Sequence, residues 1–584
     1  MRILPAVVVV SLFLLSAQTS KADEQSSWEQ PLGSDYSWSQ ITAAGTLLIS
    51  TEKSLLNIDP AEGKILWQRE DMADLAPFNV TPVPGAPLLL VNEFEGTVPP
   101  RGRLQVLDML SGETRWETGE LRGANLIALP VPSENLVLHG FQYHVAPAAQ
   151  ARPSLQPGTY LTAFRMDSGE VVYDSPQEEM GKARRHPTDT AGGWIPDMDL
   201  SGHPLPVIDN GVIYLPFNGL AAMDLKTGET LWRTEFETAN PSYKGTSARP
   251  QIVDDTIYTS GAGHIYAIAL DSGEIRWKTK VGRKYPLPEL IITDEQVIAR
   301  IGGTFSTGKD LAQLKPYGVV ALNRNDGSKR WLWKKGKDGM TNMVHQQERD
   351  WIVVADRKQL YAFDLSAEKK PVIALQMDLE FKRSMGSAEM AAKGMTVGSG
   401  LLSGGLMGGL QGAMKAADTS AQEDPPTDIS LVGDDLVVRG QFHLLSYDED
   451  SEAIEYSIAF APPGMNGLAL AAMGAATALN TLGNTGLHSG WSTRNMALGN
   501  ALNVSSAFEG EVAKRYAAAE KAEDLGFFLT TAESGMQLIG INLQTGEEVG
   551  TVPMAEKQPR FKVDKLSNTV YYMRGNEEVV AYPF

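Results

Sequence analysis

The stretch QIVDDTIYTSGAGHIYAIALDSGEIRW, residues 251–277, decides the fold. Apolar residues cluster with period-two alternation at 251–253, 256–258 and 265–269, the pattern of short half-buried strands. Asp254-Asp255, Gly261-Ala262-Gly263 and Asp271-Ser272-Gly273 supply turn residues between them, and a fourth strand carries Trp277. Four short antiparallel strands make one small sheet. Such a sheet cannot bury both of its faces alone, so copies of it must stack around an axis.

The copies are present. Leu55 to Asp59 precedes Glu62-Gly63-Lys64 and Trp67, and Leu104 to Asp108 precedes Ser111-Gly112-Glu113 and Trp116. Leu220 to Asp224 leads to Thr227-Gly228-Glu229 and Trp232, and Val319 to Asn323 leads to Asp326-Gly327-Ser328 and Trp331. Weaker copies centre on Ser168-Gly169-Glu170 with Tyr173 and on Thr545-Gly546-Glu547, while those at 361–364 and 444–448, the latter with Tyr456, lack the glycine. The expectation is an all-β chain, a β-propeller of four-stranded blades, about eight to ten in number. The repeat anchors at 364, 448 and 542 are spaced 84 and 94 residues apart, which leaves room for two insertions, at 382–426 and 461–524.

The pattern Ala/Asp-x-x-Ser/Thr-Gly-Glu/Lys-x-x-Trp resembles the pyrroloquinoline-quinone-type (PQQ-type) β-propeller repeat. The resemblance implies that each tryptophan docks against a glycine-bearing segment of the neighbouring blade. That role falls to Trp67, Trp116, Trp232, Trp277 and Trp331, with Tyr173 and Tyr456 as substitutes. It also implies a choice of function. The quinone-dependent dehydrogenases of the superfamily carry adjacent cysteines beside the quinone and a calcium held by carboxylate and amide groups. This chain has no cysteine. It resembles the propeller scaffold of outer-membrane assembly more than those enzymes.

At the N-terminus, Arg2 precedes the uncharged apolar run 3–15, and Ser20-Lys21-Ala22 offers a small-x-small cleavage site. Residues 1–22 therefore read as a signal peptide and 23–584 as the propeller. The expected location is periplasmic or otherwise exported and soluble, and without a cysteine the chain is not expected to be a lipoprotein. The formal net charge is −20, from 71 acidic and 51 basic residues, which argues against nucleic acid as the partner. Within the insertions, 394–414 and 461–493 carry no Asp, Glu, Lys or Arg, and Gly404, Gly408 and Gly412 recur at four-residue spacing. These stretches read either as small-faced helices touching a membrane or partner, or as low-complexity loops.

No constellation for chemistry stands out. Asp197 to Gly202 opens like a calcium loop, yet Ile208 occupies the twelfth position where a carboxylate is needed. His139, His144, His186, His203, His264, His345, His443 and His488 show no metal-ligand spacing. Arg184-Arg185-His186 reads as a solvated basic loop. The chain offers neither a G-x-S-x-G elbow nor a phosphate-binding G-x-x-x-x-G-K-[ST] loop. No catalytic, cofactor-binding or metal-binding residue is assigned, and no cofactor is expected. The functional expectation is a non-catalytic scaffold binding proteins of the cell envelope. A small-ligand or PQQ-binding enzyme is the alternative.

Overall fold

The computed structural model describes residues 26–584 apart from 96–100, 144–157, 178–183, 186–193, 196–202, 239, 241, 307–310, 338–339, 380–425, 441–442, 449–452, 460–524, 533–534 and 557–558. Both predicted insertions apart from Pro426, the signal peptide and the segment Asp197 to Gly202 fall outside the described residues.

The stretch at 251–277 forms the strands Gln251–Val253, Thr256–Gly261, His264–Ala269 and Ile275–Lys280, paired antiparallel in sequence order. Gly261 faces His264 across the hairpin turn, whose two central residues, Ala262 and Gly263, both have positive φ. That backbone matches the right-handed twist of the flanking strands. The third-to-fourth-strand turn closes with Gly273 N–H donating to Ala269 O at 2.9 Å. A register shift follows, so that Ala267 pairs with Trp277 while Ile268 pairs with Ile275. The same shift recurs between Asn57/Ile58, Ala222/Met223, Ala321/Leu322 and Ser446/Tyr447. A bulge of this kind re-aims a side chain. Here it sits beside the aromatic position of each repeat.

Sheets of this plan follow one another at 36–69, 80–117, 121–176, 207–234, 251–280, 289–333, 344–378, 428–459, 525–554 and 560–583, numbered one to ten below. The second and third are fused by pairing of Leu121 with Gly102 and Arg122 with Arg101. The ninth has three strands. The tenth is completed by the N-terminal strand Trp28–Pro31, whose Trp28 faces Ala581 of the strand Glu578–Pro583. Arg184–Arg185, expected in a solvated loop, pairs as a short strand with Trp194–Ile195. The paired dipeptide Trp194-Ile195, eight residues further on, supplies the strand propensity that the basic pair lacks.

The apolar core lies between sheets. Ala267 and Trp277 of sheet five pack with Val297 and Leu322 of sheet six. Val319 and Trp331 of sheet six pack with Ile352 and Phe363 of sheet seven. Leu444 of sheet eight, Phe528 of sheet nine and Tyr572 of sheet ten share one cluster, and Tyr571 of sheet ten packs with Leu47 of sheet one. Each sheet thus borrows its neighbour to bury a face, which is the physical content of a propeller.

Candidate functional site: seams and two opposite faces

The seams place the repeat aromatics. Trp67, Trp116, Trp232 and Trp277 donate their indole N–H to Met109 O, Met166 O, Leu270 O and Arg324 O of the next sheet, at 2.8–3.1 Å. Trp28 does the same to Pro60 O at 2.8 Å. The rings lie flat on the turn glycine. A Cβ on Gly112 would come within 2.6 Å of Trp67, and one on Gly327 within 2.5 Å of Trp277. Both glycines have φ near +70°, so nothing else fits there on two counts. Tyr173 and Tyr456 cover Gly228 and Gly546 in the same way.

Three seams depart from the rule, one of them because sheet seven carries Leu375 at the aromatic position. Trp331 is docked, but sheet seven has no turn glycine, and the ring stacks on Phe363 with centroids 5.5 Å apart. Among the described residues its buried N–H finds no acceptor. In sheet nine the aromatic position is Gly550, opposite Gly540, and the backbone and Cβ of Phe584 from sheet ten occupy the space beside it. Sequence reading missed this replacement because the filler comes from the chain end rather than from the repeat.

Strand alternation divides the remaining residues between two faces. Turns joining first to second and third to fourth strands emerge at one end of each sheet built from four consecutive strands. Second-to-third hairpins and the links between sheets emerge at the other. The turn face is acidic: Asp59 and Glu62, Asp108 and Glu113, Asp224 and Glu229, and Asp271 and Glu274 recur around it. Asp224 accepts from Lys226 N and Thr227 N, and its pKa is held low, chiefly by the Thr227 N–H bond. Asp255 receives both Nη atoms of Arg276, at 2.8 and 2.6 Å, which takes its pKa to about 2. An open groove of about 350 Å³ at the seam of sheets four and five is lined by Tyr214, Leu231 and Trp232 with Asp255 and Asp271 on its rim.

The histidines are scattered. His139 is buried and its Nε2 lies 2.9 Å from Asn125 Oδ1. His203 Nδ1 lies 3.0 Å from Thr238 Oγ1, and His345 lies 3.5 Å from Asp350. His264 has a pKa lowered first by burial and then by Lys278. His443 is buried, while His144, His186 and His488 lie outside the described residues. Among the described residues, no three His, Asp or Glu side chains converge to hold a metal ion. No described helix is long and apolar enough to cross a membrane.

Comparison with known proteins agrees with the repeat. Residues 157–374 match the family model described as outer membrane protein assembly factor BamB. A protein of Paracoccus denitrificans that carries the name dehydrogenase XoxF is 31% identical over 155 residues, 24% of each chain, so the match spans about a quarter of that relative. Among solved structures, BamB from Moraxella catarrhalis aligns over 71% of this chain and 96% of its own, at 14% identity and a TM-score of 0.33. The C-terminal WD40 domain of Sif2 aligns over 71% and 94%, at 8% identity and a TM-score of 0.32. The repeat that builds these sheets is of the PQQ type, similar over residues 157–374 to the BamB family model.

Proposed function

We propose that this chain is an exported propeller scaffold that binds other proteins of the cell envelope and turns over no substrate of its own. The observation that carries the reading is the match of residues 157–374 to the assembly-factor family model. The site geometry supports it, since the described polar groups are spread over two broad faces instead of converging on a pocket. Repeat scaffolds characteristically present such extended surfaces. The apolar run 3–15 after Arg2 supports export.

The second reading, a quinone-dependent dehydrogenase, has the partial match to the Paracoccus protein in its favour. The described residues do not fit that cofactor set. They hold no convergent carboxylate group for calcium, and the chain has no cysteine to place beside a quinone.

Two experiments separate the readings. A photo-crosslinking residue placed at Glu229 or Glu274 in cells should give discrete adducts with envelope proteins. Purified protein given pyrroloquinoline quinone, Ca²⁺, alcohols or sugars and an artificial electron acceptor should reduce no dye. Substrate-dependent reduction without adducts would replace the scaffold reading with the enzymatic one.

A further inference from the structure

The connection face of sheets five to seven carries cations in a chain whose net charge is −20. Lys280 ends the strand Ile275–Lys280, and Arg283 and Lys284 follow in the link to sheet six. Lys334, Lys335 and Lys337 occupy the link from sheet six to sheet seven. All six are exposed. The two links are fastened together: Lys334 Nζ lies 5.7 Å from the centroid of the Tyr285 ring. Lys337 N donates to Asp356 Oδ2 at 3.0 Å, attaching the second link to sheet seven. Lys284 reaches a carboxylate, Glu237, only at 3.7 Å.

We propose that this face docks on the phosphate headgroups of an anionic lipid bilayer. Three features favour a bilayer over an acidic protein segment. The cations are spread across two links and all lie exposed, which suits a planar array of phosphates. The opposite face carries the acidic turns, so an anionic surface would repel that end and orient the molecule. The strands Val372–Asp378 and Ala453–Ala459 end at the same face, and the uncharged stretches 394–414 and 461–493 follow them in sequence. Each cation near such a surface contributes roughly fivefold in partitioning, an effect that falls away within a Debye length. The scaffold reading does not depend on this contact and survives its failure.

The test is co-sedimentation of the full chain with neutral phosphatidylcholine vesicles and with vesicles containing about 30% phosphatidylglycerol, at about 50 and about 500 mM NaCl. The parent should bind the anionic vesicles alone, and only at low salt. Reversal of Lys280, Arg283, Lys334 and Lys335 to Glu should reduce binding at least about 20-fold. The milder Lys334→Gln/Lys335→Gln pair should reduce it several-fold with an unchanged melting curve, which keeps the test valid should the quadruple variant misfold. Lys64→Glu/Lys226→Glu on the turn face should bind as the parent does. Equal binding to neutral vesicles, no binding to either, or binding that survives the neutral pair would each overturn the proposal. Absence of vesicle binding combined with capture of a poly-glutamate peptide would reassign the strip to an acidic polypeptide.

Discussion

The indole nitrogen of Trp277 donates to the carbonyl of Arg324 across the seam between sheets five and six, at 2.9 Å. The ring is 8% exposed and covers Gly327. Burial and hydrogen bond therefore act at one residue. Trp277→Ala should cost about 3–5 kcal/mol of stability. Trp277→Phe keeps most of the apolar contact and loses the bond, so it should cost less. Thermal or urea melts decide this, and a Trp277→Ala variant that melts with the parent contradicts the docking role.

Gly327 and Gly85 separate collision from backbone strain. Both have positive φ, +68° and +71°, but a Cβ on Gly85 would meet nothing within 4 Å. Gly85→Ala should therefore lose only the conformational term, about 1 kcal/mol. Gly327→Ala should lose clearly more, because Trp277 must also move. Equal melting temperatures for the two variants would show that the ring does not press on the turn.

The chain ends are joined by a register that can be locked. Pro31 faces Glu578 where the strand Trp28–Pro31 pairs with Glu578–Pro583. The cysteine-free background makes a test clean. Pro31→Cys/Glu578→Cys should oxidise to an intramolecular disulfide and raise the melting temperature, whereas the single variants should not. Removing 26–31 should destabilise the whole molecule, since it strips the outer strand from the last sheet and exposes an edge. Failure of the double variant to cross-link would contradict the pairing.

That junction has a pH signature. Arg574 donates to Glu29 Oε2 at 2.7 Å and holds the carboxyl below its ordinary value. A depressed carboxylate pKa adds stability above the unfolded value and loses it as pH falls through the folded one. The melting-temperature difference between parent and Glu29→Gln should thus be present near pH 7 and vanish on acidification below the carboxylate range. It should also shrink in high salt, because the pair is exposed. A difference that grows in acid would contradict the assignment.

The fold was largely legible because one repeat carries its own packing instruction. The turn glycine and the aromatic beyond it predict the seam, and Trp67, Trp116, Tyr173, Trp232, Trp277 and Tyr456 all cover glycines of the next sheet. The N-terminal closure can be read in the sequence too, because Ser26-Ser27-Trp28-Glu29-Gln30 resembles the outer strand that the last sheet lacks, with Trp28 at the aromatic position. What escaped was long-range substitution. Phe584 filling in beside Gly550, and Leu121 joining the second sheet to the third, depend on residues outside the repeat unit. The basic strip escaped for the same reason. Lys280 and Lys334 are 54 residues apart in sequence, and only the seam brings their links together.

We expect the ten described sheets to close into one ring when residues 28–31 complete the last of them. A density map of the purified protein viewed down the ring axis tests it most directly. Ten sheets should surround the axis, with Trp28 beside Ala581 and over Gly63. A ring of eight with two sheets outside it, or an N-terminal strand lying away from residues 578–583, would contradict it.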